Sequence, residues 1–404
     1  MQIKPILAAL RKHKLATLLI ALEIALACAV LCNACFLIAN RLSLMHIDSG
    51  IDESALGTIK LTGFDPQQAI DLNARVISGL RAIPGVQSAS VINTVPFGQR
   101  VANAGITTDA ARQHSSGVVD FYIGGPGSFQ ALGLRAIVGH APQSDDYQPV
   151  VDFVPADASV LITRVLAEHL WPDANPLGKE FWVDKFHFRV VGVLAHLAIP
   201  APGGGEEKNP DWSVFVPGQP GAHFAGTYLL RVDPPQLPRV MRDAFAAIKK
   251  VAPDVVVDRD NSQTISDLRQ TYFQNDRAMA GMLLGVIAAL LGVTALGIVG
   301  LASFWVAQRR KQIGIRRALG ATRADILHYF QTENFLIVTF GIVLGIMLAF
   351  AINLTLMKFY ELPRLPFFYL PIGAIVLWLL GQLAVLGPAL RASHVPPVVA
   401  TRSV

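Results

Sequence analysis

Arg309-Arg310-Lys311-Gln312-Ile313-Gly314-Ile315-Arg316-Arg317-Ala318-Leu319-Gly320-Ala321-Thr322-Arg323 lies between two long uncharged runs, and its reading decides the fold. Six cations fall within these fifteen residues. Between two membrane spans, such a cluster assigns the loop to the cytoplasmic side, because Lys and Arg near span ends resist translocation. Apolar and basic residues are mixed, as in a short helix lying at a membrane surface or in a partner's groove. The stretch reads as a contact surface for something cytoplasmic.

Working outward, the composition supports membrane spans on both sides. Of 404 residues, 52% are hydrophobic and 16% charged, whereas an ordinary soluble domain carries about 25% charged residues. The excess is concentrated in four apolar runs, Leu15–Ala39, Ala278–Ala307, Phe335–Met357 and Pro366–Gly387, whose single charge is Glu23. Each is long enough to cross a bilayer as a helix, which takes about 20 residues. The predicted order is a tail (1–14), span one (15–40), an external domain (41–277) and span two (278–307). The basic coupling loop (308–330), span three (331–357), a short external loop (358–365), span four (366–387) and a tail (388–404) follow.

Lys4, Arg11, Lys12 and Lys14 precede the first run, and the loop between spans three and four offers only Lys358 and Arg364. Both termini and the basic loop are therefore expected in the cytoplasm, with the large domain outside an inner membrane. The net charge of +5 belongs to this topology and does not indicate nucleic-acid binding. The first run is too long for a cleaved signal and no A-x-A site follows, so it is expected to remain as an anchor. Cys28, Cys32 and Cys35 share one helical face of it and read as small packing residues rather than a metal site. Glu23 is a costly intramembrane acid of uncertain role, either facing a neighbouring helix near the headgroups or serving a substrate path or proton relay.

The external region repeats one grammar. A strand over 55–64, a helix opening at Asp65-Pro66 with Ile70, Ile77, Leu80 and Ile83 at helical spacing, and a strand over 86–95 form a first βαβ unit. Residues 227–232, a helix carrying Leu237, Val240, Ala244, Ile248 and Val251, and a strand over 255–258 form a second. The fold class is thus a membrane protein of four transmembrane α-helices with a large α+β domain between the first two. In that domain a βαβ subdomain (about 46–95 plus 227–265) is split by an inserted, mainly β subdomain (about 96–226).

Residues 201–207 imitate a phosphate cradle, but Glu206 and Glu207 follow the glycines and no Lys-Ser/Thr does; they read as a loop. No G-x-x-x-x-G-K-[ST] occurs in the 404 residues, so the chain itself has no P-loop. His114, His187, His196, Asp145-Asp146 and Ser115-Ser116 form no catalytic or metal grammar, and neither an enzymatic site nor a cofactor is expected. The spans, with Glu23 as their one acid, do not suggest a polar pore.

Several motifs together carry a resemblance: Ile313 to Thr322, Ala82-Ile83-Pro84-Gly85-Val86, Phe129 to Leu134, Leu170 to Lys179, Val190 to Val193 and Pro388 to Pro397. In this order they resemble permeases of the MacB/FtsX-like class of ABC transporters over nearly the whole length. The family's loop usually has Glu where this chain has Gln312. The resemblance implies a mechanotransmission permease without a fused ATP-binding domain. Its partners would be a separate ATP-binding subunit, a second permease protomer (identical or not) and membrane lipid. In relatives of this type the external domain engages a periplasmic adaptor and outer-membrane channel, or acts on lipoproteins. It implies that Gln312, Ile313, Gly314, Ile315, Arg316, Arg317, Ala318, Leu319, Gly320, Ala321 and Thr322 transmit motion from the ATPase, driving export of a drug, peptide or lipid-linked molecule. The competing implication is FtsX-like signalling that activates a periplasmic cell-wall hydrolase without transport.

Overall fold

The computed structural model describes residues 14–99, 101–109, 114–203, 209–360 and 364–396. The N-terminal basic tail before Lys14, most of the glycine loop at 201–207 and the end of the C-terminal tail lie outside the described residues. The chain divides into two compact units, residues 1–43 with 276–404 and residues 44–275. Helix α1 (Lys14–Met45) opens the first. At about 1.5 Å per residue, its 32 residues exceed the thickness of a hydrocarbon core.

The second unit begins with strand β1 (Leu56–Thr62), helix α2 (Ala69–Arg81) and strand β2 (Val86–Val91). Asp65 accepts from the Gln67 backbone N–H at 2.9 Å and Pro66 takes the first helical position, so the turn before α2 starts as its local signals dictate. Its buried face is Ala69, Leu72, Asn73, Val76 and Leu80, while Ile70 is 69% exposed. Of the expected apolar positions, Leu80 and Ile83 are buried and Ile77 packs against the core, and Ile70 alone is corrected to the exposed side. The buried Asn73 is satisfied within the unit: its Nδ2 donates to Phe224 O at 3.2 Å and its Oδ1 accepts from Tyr228 Oη at 2.9 Å.

The insertion contains β3 (Asn103–Thr107), β4 (Ser115–Gly124), helix α3 (Ser128–Leu132), β5 (Ala136–Gly139), β6 (Gln148–Pro149), β7 (Asp157–Thr163) and helix α4 (Arg164–Leu170). Strands β8 (Glu180–Val183), β9 (Phe186–Leu194) and β10 (Ser213–Gln219) complete it. Strands β4, β3, β8, β9, β7 and β10 pair in that order, and β10 pairs again with β4, so six strands close into a ring. Closure leaves these six without free edges. Aromatic side chains fill the interior, with Phe188 stacked on Phe181 at 5.0 Å between ring centres and 5.3 Å from Phe121. Ser115 and Ser116 open strand β4.

The chain then returns through β11 (Thr227–Val232), helix α5 (Leu237–Val251), β12 (Val256–Asp258) and helix α6 (Ile265–Tyr272). The sheet order is β12-β1-β11-β2, with every neighbouring pair antiparallel. Each repeat's second strand is therefore separated from its first by one strand of the other repeat, and the two units interleave. Helices α2 and α5 contribute Leu72, Val76, Leu80, Val240, Ala244 and Ile248 to the core of this unit.

The first unit resumes with α7 (Gln274–Gln308), α8 (Arg310–Ala318), α9 (Arg323–Tyr360) and α10 (Tyr369–Ser393). Helices α1, α7, α9 and α10 are long and apolar enough to cross a membrane. The expected loop 308–330 is largely helical, and α9 begins eight residues before the expected span. Glu333, 1% exposed, lies within this helix and inside the expected span 331–357, which corrects the expectation that Glu23 is the single acid of the spans. Helix α10 likewise continues through Pro388 to Ser393. Proline is tolerated within such helices because neighbouring groups re-satisfy the freed backbone.

Small residues and amides set the packing of this unit. A methyl group on Gly345 of α9 would lie 2.5 Å from Cys28 Cβ and 2.8 Å from Ala25 O, and one on Gly341 would lie 2.8 Å from Ile24. The G-x-x-x-G spacing thus lets α1 and α9 approach closely, as small residues do between apolar helices. Asn33 Nδ2 donates to Ala349 O at 3.2 Å, and Asn334 Nδ2 donates to Gly381 O at 2.8 Å. Cys28 is buried against α9, with its Sγ 4.0 Å from Ile342 O, and Cys32 against α10, with its Sγ 3.8 Å from Tyr369 O. Gly345→Ile is expected to destabilise the protein by about 1–3 kcal/mol, the cost of overpacking a tight interface. Thermal unfolding in detergent measures it, and an unchanged midpoint would contradict the close approach.

Candidate functional site

The basic stretch folds into a helix, a turn and a second helix. A single residue, Arg309, separates α7 from α8. After α8, Gly320 adopts φ +99°, Ala321 N–H donates to Arg316 O at 3.0 Å, and Gly320 N–H donates to Arg317 O at 3.2 Å. These two bonds define a Schellman stop, for which a left-handed glycine is suited. Helix α9 then starts on a reciprocal cap: Asp325 N–H donates to Thr322 Oγ1 at 3.2 Å and Thr322 N–H donates to Asp325 Oδ2 at 2.9 Å. The turn is therefore capped on both sides, and α9 runs from it without interruption for 38 residues.

The two faces of α8 differ. Ile313 and Gly314 are buried, and Ile313 packs in a cluster with Val306, Ile326, Phe330, Ala389 and Ala392. Arg317 Nη1 donates to Ser393 O at 2.8 Å at the end of α10, and Arg316 lies 4.7 Å from the centre of the Tyr329 ring. Beneath them, Arg309 donates from Nη1 to both oxygens of Glu333 at 3.0 and 2.9 Å. Arg323 Nη1 lies 3.4 Å from His394 Nε2, so four of the six cations are used inside the unit, three of them binding α7 and α8 to α9 and α10. Opposite, Lys311, Gln312, Ile315, Ala318 and Leu319 face outward, with Ile315 45% and Leu319 83% exposed. An apolar pair one turn apart with basic and amide neighbours can seat a complementary protein surface.

Sequence reasoning located this segment and its caps but missed Tyr329, Glu333 and Ser393, the groups that hold it. Each comes from another helix, and Glu333 sits two residues before the third apolar run, which begins at Phe335. Glu23 is half-buried on α1 beside Gly297 of α7, where an added Cβ would come 2.7 Å from its Oε2. It is not brought together with the α8 segment. Among the described residues no group of three metal-ligating side chains forms.

In the second unit the strongest polar cluster lies around His196. Its Nδ1 is 2.7 Å from Asp211 Oδ1, its Nε2 bonds to Asp48 O, and Asp211 Oδ1 also accepts from Leu197 N–H at 2.9 Å. The buried Asp211 carboxylate raises the His196 pKa to about 9. A histidine raised in the folded state contributes stability that is complete below its unfolded value of about 6.5 and lost as pH rises through about 9. The melting midpoint of this unit is expected to fall between pH 6 and pH 9.5, with His196→Gln flattening that slope. Calorimetry of the protein and the variant across this range measures it; identical pH slopes would contradict the pairing.

Helix α8 and the capped turn join two helices long and apolar enough to cross a membrane, and a large domain follows the first such helix in the chain. Residues 284–397, which include the whole α8 segment, match the family model described as FtsX-like permease C-terminal. The chain is 26% identical over 258 residues to the macrolide export ATP-binding/permease protein MacB of Bdellovibrio bacteriovorus, covering 60% of this chain and 38% of that protein. It is 30% identical over 233 residues to the MacB of Bradyrhizobium diazoefficiens, with shares of 55% and 34%. It is 27% identical over 257 residues to the pyoverdine export ATP-binding/permease protein PvdT of Pseudomonas putida, with shares of 60% and 37%. The chain spans little more than a third of the length of these curated relatives. The crystal structure of the periplasmic region of MacB from Actinobacillus actinomycetemcomitans matches at 15% identity and a TM-score of 0.36, covering 57% of this chain and 97% of that one. Over residues 284–397 the chain thus matches the FtsX-like permease model, and over a little more than half of its length it is similar to MacB-type permease proteins.

Proposed function

We propose that this chain is the permease subunit of an ABC-type export complex, with a separate cytoplasmic ATP-binding subunit seated on the outward face of α8. The division of that helix into an anchored and an open face carries the reading. Its anchored face is held by Ile313, Arg317 and the Arg309–Glu333 pair, so force applied at Ile315 and Leu319 has no loose joint to absorb it before α9. Residues Gln312 to Thr322 form the coupling element in this scheme, with Gln312 on its outward face.

Movement of the spans would then act on the interleaved βαβ units and the barrel they carry, driving a drug, peptide or lipid-linked molecule outward. The basic tail and loop favour an inner-membrane location with both termini cytoplasmic. A second protomer, identical or not, completes the assembly, and a periplasmic adaptor with an outer-membrane channel is the external partner. Names of relatives that export macrolides or pyoverdine support export over signalling.

Purification of the tagged protein from native membranes in mild detergent, followed by mass spectrometry of what accompanies it, tests this. An ATP-binding subunit with an adaptor or channel is the expected result. A cell-wall hydrolase in place of the adaptor would replace export with signalling. No ATP-binding subunit, under conditions that preserve other membrane complexes, would remove the coupling role of α8.

A further inference from the structure

Four helices of the membrane unit, α1, α7, α9 and α10, meet around a cavity of about 20 Å³. Ile20, Ile298, Phe330 and Val385 supply one apolar wall each, and Trp305, Glu333 and Asn334 supply the polar groups. A buried water needs roughly 10–15 Å³ of such space and two to four polar partners. We propose that this cavity is the site of one structural water, which ties the Trp305 indole on α7 to the Glu333 carboxylate on α9.

Trp305 is 4% exposed, and no acceptor among the described residues lies within hydrogen-bond distance of its Nε1. A buried donor in that condition is costly, and buried N–H groups without a protein acceptor commonly take one from ordered water. Glu333 is 1% exposed and receives Arg309 Nη1 on both oxygens at 3.0 and 2.9 Å. A carboxylate offers about four lone-pair sites, so these two bonds leave it able to accept again. Asn334 directs one amide N–H to Gly381 O at 2.8 Å, and its second N–H and its oxygen extend the polar wall.

The pairing of an indole donor with a carboxylate acceptor selects the ligand. A metal cation cannot accept from the indole N–H, and a halide cannot donate to the carboxylate. Water does both. The volume is far below the roughly 300–1,000 Å³ of drug-sized sites, which excludes an organic occupant. Through the water, the end of α7 holds Glu333 at two points one turn apart, directly from Arg309 and indirectly from Trp305. The site lies within one unit and requires no partner protein.

The full chain, perdeuterated and isotope-labelled at its tryptophans in detergent micelles, carries five indole N–H groups, and Trp305→Phe assigns the resonance of interest. A dipolar cross-peak between this indole proton and water is expected in a rotating-frame Overhauser spectrum, opposite in sign to an exchange peak. Among the described residues the cavity walls carry no hydroxyl, so no exchanging side chain there relays it. Ala302→Val, which adds two methyl groups to the wall, is expected to remove the cross-peak and leave the other indole resonances in place. Glu333→Gln is expected to move the Trp305 indole proton upfield, because a water polarised by a carboxylate is the stronger acceptor. No cross-peak in the parent, an exchange-sign peak only, survival of the cross-peak in a folded Ala302→Val protein, or an unmoved indole resonance in Glu333→Gln would each overturn the assignment.

Discussion

Glu333→Ala is expected to destabilise the membrane unit by about 3–5 kcal/mol, the usual cost of removing one partner from a buried ion pair. Arg309 makes two bonds to a carboxylate that is 1% exposed, and its guanidinium lies 5.5 Å from the centre of the Trp305 ring. Removing the acid leaves a desolvated cation at the joint between α7 and α8, where water cannot compensate fully. Arg309→Ala should cost a similar amount for the converse reason. Arg309→Leu with Glu333→Leu should cost less than either single truncation, because no buried charge is then left unpaired. A double-mutant cycle on thermal unfolding in detergent measures the coupling. Additive losses would show that the pair acts only as two independent packing residues.

Ile315→Glu with Leu319→Glu is the second large effect. Both side chains point away from the unit that holds α8, so insertion and thermal stability should remain near those of the parent. Binding to an ATP-binding subunit is expected to weaken by about 2 kcal/mol or more for each side chain that is a hot spot. That is roughly a 30-fold loss each. Co-purification and nucleotide-dependent transport would fall together. Gly314→Pro and Arg317→Glu make an informative contrast. Gly314 is buried within α8 and Arg317 bonds to Ser393 O, so these variants should lose stability as well as coupling. Retention of the ATP-binding subunit by the Ile315/Leu319 variant would mean that the partner does not seat on this face.

The features legible in the residue order are those governed by neighbours in the chain. Gly320 stops α8 and the Thr322–Asp325 pair starts α9, because capping needs atoms only three to five residues apart. The apolar runs announce four spans for a similar reason: length and the absence of charge suffice. Span ends are less legible. Helix α9 begins at Arg323, eight residues before the expected span, and its buried Glu333 is paired by Arg309 from the joint between α7 and α8, a pairing that no local pattern encodes. Strand β9 was readable from its alternation. Strands β3, β5, β6 and β8 were not, because each has five residues or fewer and becomes a strand only through its partners.

The residue order by itself determined four membrane-crossing helices, a duplicated βαβ pattern and a capped basic segment between two spans. Tertiary structure alone decided that the duplicated units interleave, since antiparallel pairing of β1 with both β11 and β12 joins residues far apart in the chain. It also decided that six strands close into a barrel, and which face of α8 is anchored. Those outcomes depend on how distant surfaces bury one another, a contest among long-range contacts that local periodicity does not record.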